Sequence, residues 1–304
     1  MTQFRVKAGV LQTMFAYARA EGKNTDGKTV PLLNDCVLNV MKNTLFIQSV
    51  DENQTLITLA KYPINKEDVK SVGEIPIFFE KSIKAVNRFK ANDIIVVEHL
   101  EGNLIEYRRK TPKLEVTATT IDRDAVASAI EDTLPFKYDS KQNAWTAGKG
   151  FKTEAFMKID AAEFEEVVKD GEQIEHRSFP FTIEGKTVSV TVADDESGDK
   201  VLRELKPIEK TLKVDEDIGS VYSYGFGNAF NNLKGELSIW VKDGGPMFIK
   251  QVHDDISLTY VLATTELQDE KVEEDENTDN IETGEMDEKL QESLDDSEDE
   301  DSEE

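Results

Sequence analysis

The sequence predicts an α+β fold made of two similar domains, and three observations carry that prediction. A short amphipathic helix followed by a strand hairpin recurs four times along the 304 residues. A long stretch rich in turn residues separates the second copy from the third. Beyond Glu266 the apolar periodicity gives way to a run of carboxylates.

In chain order, Val10, Leu11, Met14, Phe15 and Ala18 line one side of a first helix, with Gln12, Ala16, Arg19 and Lys23 on the other. A Gly/Asn/Asp-rich loop leads to strands at Asp35 to Met41, Thr44 to Val50 and Gln54 to Lys61. The second copy is the plainest. Phe79, Ile83 and Val86 share one helical face, while Lys81, Lys84 and Arg88 share the opposite one. Ile94 to Val97, the turn Leu100-Glu101-Gly102-Asn103 and Leu104 to Tyr107 form its hairpin, closed by an alternating strand at Lys113 to Thr119. In the connector, Val126, Ala129 and Ile130 suggest one short helical turn, and Pro135, Ser140, Gly148 and Gly150 mark it as a linker. The third copy has a helix at Ala161 to Asp170 and strands at Ile174 to Ile183 and Thr187 to Ala193. The fourth places Phe226, Phe230 and Leu233 on one helical face, then strands at Glu236 to Val241, Met247 to Val252 and Ser257 to Ala263. The expected organisation is an N-terminal domain over 1–122, a connector over 123–152, a C-terminal domain over 153–266 and an acidic tail over 267–304.

Charge has to be taken by segment. Of the net charge of −26, the stretch Glu266 to Glu304 holds −19, from 21 acidic residues against two lysines, and the rest of the chain holds −7. Such a tail cannot bury surface and is expected to stay disordered. No signal peptide or membrane span is apparent, so an intracellular location is expected. The single cysteine, Cys36, sits in an apolar run and is expected as a buried thiol. His99, His176 and His253 are scattered without metal-ligand spacing, and Gly225-Phe226-Gly227 lacks the third glycine of a dinucleotide fingerprint. No cofactor, metal or catalytic signature is found, which points to a binding protein rather than an enzyme.

Several local strings, in order and at matching spacing, resemble the sliding clamps of the proliferating cell nuclear antigen (PCNA) family. They are Leu45 to Asp51, Asn92-Asp93-Ile94-Ile95, Lys158 to Phe164, Pro246-Met247-Phe248-Ile249 and Tyr260-Val261-Leu262-Ala263. The resemblance covers residues 1 to about 266 and excludes the tail.

The resemblance implies a DNA-clamp fold whose subunits, as a homotrimer, close into a ring with the helices inside and the sheets outside. Duplex DNA would thread the hole without base-specific contact, tethering a replicative DNA polymerase, and a clamp loader would open the ring. Helical wheels and resemblance together nominate Arg19, Lys23, Lys81, Lys84, Arg88 and Lys234 as pore residues. A hydrophobic partner-peptide pocket is implied at Val50, Gln54, Ile57, Leu134, Pro135, Pro246, Val261, Leu262 and Ala263. Lys113 to Thr119 and Ile174 to Ile183 match the edge strands that pair between subunits. There are departures. Glu163, Glu166 and Asp170 face outward on the third helix, the fourth carries asparagines, and the family's aromatic and proline are replaced by Val261 and Thr264. Two alternatives stay open: a subunit of a heteromeric checkpoint or transcription-coupling clamp, and an acidic DNA-mimicking scaffold.

Overall fold

A strand precedes each helix, so the repeating unit is strand, helix and three further strands. The computed structural model describes residues 1–23, 29–31, 33–50, 56–126, 136–148, 150–173, 178–193, 198–212, 217–223 and 233–264. The first unit is β1 (Gln3–Lys7), α1 (Ala8–Arg19), a small hairpin of β2 (Glu21–Lys23) and β3 (Thr29–Pro31), then β4 (Asp35–Val40), β5 (Thr44–Val50) and β6 (Leu56–Pro63). After β7 (Val69–Ser71), the second comprises β8 (Gly73–Phe78), α2 (Phe79–Val86), β9 (Ile94–Leu100), β10 (Leu104–Arg109) and β11 (Leu114–Thr119). The connector folds as a meander of β12 (Phe136–Asp139), β13 (Ala144–Ala147) and β14 (Phe151–Lys152). The third unit is β15 (Ala155–Asp160), α3 (Ala161–Gln173), β16 (Ser178–Glu184), β17 (Thr187–Ala193) and β18 (Lys200–Leu205), followed by β19 (Glu209–Leu212). The fourth has β20 (Ile218–Ser223), β21 (Glu236–Val241), β22 (Met247–His253) and β23 (Ile256–Leu262). The helix expected around Phe226 and Phe230, and the acidic tail, lie outside the described residues.

Units lock in pairs by exchanging their leading strands. β1 pairs with β9 of the second unit, and β8 of the second pairs back with β4 of the first. The third and fourth repeat the exchange, with β15 on β21 and β20 on β16. Strand β23 then pairs with β6, from Ser257↔Lys61 to Leu262↔Leu56, and fuses the halves into one nine-stranded antiparallel sheet. Its order is β19-β15-β21-β22-β23-β6-β5-β4-β8, flanked by the sheets β11-β10-β9-β1-β7 and β18-β17-β16-β20. Met1–Leu267 accordingly packs as a single compact unit.

The helices lie on the inner faces of these sheets, in a core they share. Ala8, Leu11, Met14, Phe15 and Ala18 form the buried stripe of α1, and Phe79, Ala85 and Val86 that of α2. Phe15 meets Phe79 edge to face at 6.2 Å between ring centroids. The helices approach closely where Gly9 donates its backbone N–H to the Ala91 carbonyl at 2.9 Å. A Cβ at Gly9 would stand 3.0 Å from both that oxygen and the Ala91 Cβ, so only glycine fits without displacement. Gln12 completes the joint by donating to the Val86 and Phe89 carbonyls at 3.2 and 3.0 Å. At the far end of α1, where the Ala20 N–H caps the Tyr17 carbonyl at 3.3 Å, carbonyls of the last turn also accept from side chains of the sheet. Thr58 bonds Ala18 at 3.0 Å and Tyr260 bonds Tyr17 at 3.1 Å.

Three expectations are corrected. The connector is a three-stranded sheet, preceded by a short 3₁₀ turn at Arg123–Ala125; the helical turn expected through Ala129 and Ile130 falls outside the described residues. The strand expected at Ile174 to Ile183, described from Ser178 onward, is not an edge, because β20 covers its other side; an edge of that sheet is β18. Helix α1 ends at Arg19, so Lys23 belongs to β2, and Arg88 follows the end of α2 instead of riding on it.

Candidate functional site

The cations nominated on the first two helices converge. Lys81 and Lys84 project from α2 into solvent, and Arg19, half-buried, closes the last turn of α1. Between them sits Glu80, which accepts from Lys84 Nζ at 2.6 Å. Its carboxyl is held below the usual range, first by that hydrogen bond and the charge of Lys84, then by Lys81 and Arg19. Three cations against one carboxylate leave this part of the helical layer positive. Lys81 makes no ion pair among the described residues. Arg88 is exposed in the turn after α2; Lys234, nominated for the pore, is exposed in the segment entering β21, where it lines a groove with Tyr138, Trp240 and Lys250 on the outer face instead of joining Lys81 and Lys84. The Lys23 side chain lies outside the described residues.

The third helix has the opposite sign. Glu163, Glu165, Glu166 and Asp170 lie along α3 with Lys169 as its only cation. Lys169 is spent on its own helix, 2.9 Å from Glu166 and 3.2 Å from Glu165, and those two hold it protonated above its ordinary range. Arg203 reaches in from β18 to clasp Asp170 through Nε at 2.5 Å and Nη2 at 2.9 Å. That bidentate pair fastens the edge strand to the helix.

On the outer face of the nine-stranded sheet, cross-strand register brings Val50, Ile57 and Val261 into one row. Val50 stands opposite Ile57, Ile57 opposite Val261, and the row runs on through Phe248, Trp240 and Phe156. The connector sheet covers much of it. Trp145 stacks on Phe248 at 4.8 Å between ring centroids and 9° between ring planes, and Phe136 meets the same ring edge-on at 5.1 Å. Phe151 packs alongside, forming an aromatic cluster separate from the main core. Val261 is therefore 3% exposed, and Leu262 points the other way into the main core with no exposed surface. Pro246 and Ala263, both half-buried, flank the row at the ends of β22 and β23; Gln54, Leu134 and Pro135 lie outside the described residues.

No protein-family model and no curated protein matches the sequence. Solved structures do match. PCNA from Thermococcus kodakaraensis aligns with a TM-score of 0.62 and 13% identity, covering 87% of this chain and 100% of its own. A. fulgidus PCNA, solved with the C-terminal region of FEN-1 bound, gives 0.64 and 14% over 88% and 99%. PCNA from Entamoeba histolytica gives 0.62 and 9% over 87% and 99%. The chain has the PCNA clamp fold. At these identities the likeness is one of architecture, and function has to rest on the surfaces that the clamp fold presents here.

Sequence reasoning missed the aromatic cluster of Phe136, Trp145, Phe151, Phe156, Trp240 and Phe248. A signal existed in the consecutive apolar triplets Ala155-Phe156-Met157, Ile239-Trp240-Val241 and Met247-Phe248-Ile249. Strands without polar alternation are covered on both faces, which calls for a layer outside the sheet. Among the described residues, no group of three or more His, Cys, Asp or Glu side chains is placed to hold a metal ion, and no helix is long and apolar enough to cross a membrane.

Proposed function

We propose that the chain is a DNA sliding clamp, acting without catalysis as an intracellular processivity factor. Three copies close into a ring around duplex DNA, with the helical layer inward and the nine-stranded sheet outward. The observation that carries this reading is the convergence of Arg19, Lys81 and Lys84 on the helical side of a clamp fold whose body is otherwise net acidic. Cations on flexible stems attract phosphates at any sequence and permit sliding. The acidic face of α3 confines that attraction to the first half of each subunit, so DNA runs closer to α1 and α2 than to α3.

Ring closure uses the edge strands β11 and β18, each paired on one side only. β11 alternates polar and apolar residues, and on β18 Leu202 is 61% exposed, as suits a strand completed by a neighbour. The end of the apolar row at Val50 and Ile57, flanked by Pro246 and Ala263, serves as the partner-peptide pocket for a polymerase and a clamp loader. The FEN-1 segment seated on A. fulgidus PCNA is a precedent for a short partner segment on this fold.

Light scattering on the full chain tests the assembly. A mass near three times 34.2 kDa is expected, and a monomer at all accessible concentrations would overturn the homotrimer.

A further inference from the structure

We propose that the outer face of the second half carries a docking groove, beginning at the Trp240 and Phe156 end of the apolar row and away from Val50 and Ile57, for an extended acidic partner segment with one large apolar side chain. The groove has a volume of about 700 Å³, within the range of built binding sites, and runs below the connector hairpin across β15, β21 and β22. Its upper wall is Tyr138, 38% exposed and held over Trp240 at 5.4 Å between ring centroids. The wall is fixed from behind. Tyr138 donates its hydroxyl proton to Asn143 Oδ1 at 2.9 Å, and Trp240 Nε1 donates to the Asn143 carbonyl and Oδ1, each at 3.1 Å. The far end is open around Val252, 64% exposed, an uncovered apolar side chain on the same face.

Charge decides the occupant. Lys158, on the floor, is held between Glu236 at 3.3 Å and Glu209 at 3.4 Å, so the three lysines and two glutamates of the lining leave the groove one positive charge, placed toward Lys250 and Lys234. Lys250 and Lys234 have no such partner: neither makes an ion pair among the described residues, and Lys250 Nζ rests 5.3 Å from the Tyr138 ring centroid. Two unspent ammonium groups flank an aromatic wall and an exposed valine. From Trp240 to Glu236 the floor spans about 13 Å, the length of roughly four extended residues. A segment of that length with an apolar side chain against Tyr138 and Val252, and carboxylates toward Lys250 and Lys234, satisfies each of these groups. The aromatic row cannot take this part where the chain's own connector already covers it.

The test is a calorimetric titration of the full chain with a capped synthetic hexapeptide bearing one phenylalanine between glutamates. A version with glutamines for the glutamates is the control, and the variants are Lys234→Glu/Lys250→Glu and Ile57→Ala. The expected result is binding of the acidic peptide that weakens as salt is added. The control peptide and the double lysine variant should each bind at least tenfold more weakly, and Ile57→Ala should be unaffected. Equal binding of both peptides, undiminished binding by the lysine variant, or no binding at millimolar peptide would overturn the proposal. A tenfold loss in Ile57→Ala would place the peptide on the apolar row and overturn it equally. Because the titration does not depend on ring formation or DNA, its failure is distinguishable from failure of the clamp reading.

Discussion

Lys81, which makes no ion pair among the described residues, and Lys84, which shares its charge with Glu80 at 2.6 Å, supply most of the exposed positive charge that a phosphate would meet on α2. Reversing both, as Lys81→Glu/Lys84→Glu, is expected to lower affinity for a short duplex at least tenfold at low salt. The slope of log affinity against log salt should fall by about two. Lys169→Glu is expected to leave affinity within about a factor of two, because Lys169 is held between Glu165 and Glu166. Fluorescence anisotropy across a salt series checks all three proteins. On the outer face, Trp145→Ala should cost about 3 kcal/mol in denaturant unfolding, by removing a stacked ring and leaving a cavity. Trp145→Phe should cost less, since the buried indole N–H has no hydrogen-bond partner to lose. Lys81 and Lys84 were legible in the sequence because a short helix with Phe79 and Val86 below must present them above. Lys23 was misplaced because nothing local stops α1 at Arg19. The stop is tertiary: Thr58 and Tyr260 take the last carbonyls, and Leu33 donates its N–H to the Arg19 carbonyl at 3.1 Å.

Among the elements, those whose partners are local were legible and those completed from a distance were not. Strand β5 has its predicted bounds, Thr44–Val50, because a turn and an alternating pattern specify it. Strand β16 was taken for an edge because its second neighbour, β20, arrives from beyond two further strands and leaves no mark near Ser178. The leading strands β1, β8, β15 and β20 were missed for the same reason, since each pairs with the neighbouring unit and not with its own. The correction moves the expected subunit contact to β18, where Leu202 is the exposed apolar side chain. Leu202→Asp should convert the proposed trimer to a 34.2 kDa monomer with unchanged circular dichroism and melting temperature. A trimer that survives the substitution would show that β18 is not the contact.

In the whole molecule, β23 on β6 makes a single sheet of both halves, so a ring of such subunits has rigid outer walls and can open only where subunits meet. The uneven inner charge follows from the same architecture, with Arg19, Lys81 and Lys84 on one half and the acids of α3 on the other. On the proposed clamp reading, contact with DNA is expected to be weak and salt-sensitive, with retention coming from topology. The most direct test threads the protein onto a linear duplex, blocks both ends with a bulky cap, and washes with high salt. Encirclement predicts that the protein stays on the capped duplex through the wash and leaves once a nuclease cuts between the caps. Release by salt from the intact capped duplex, as fast as from an uncapped one, would contradict encirclement and with it the sliding-clamp function.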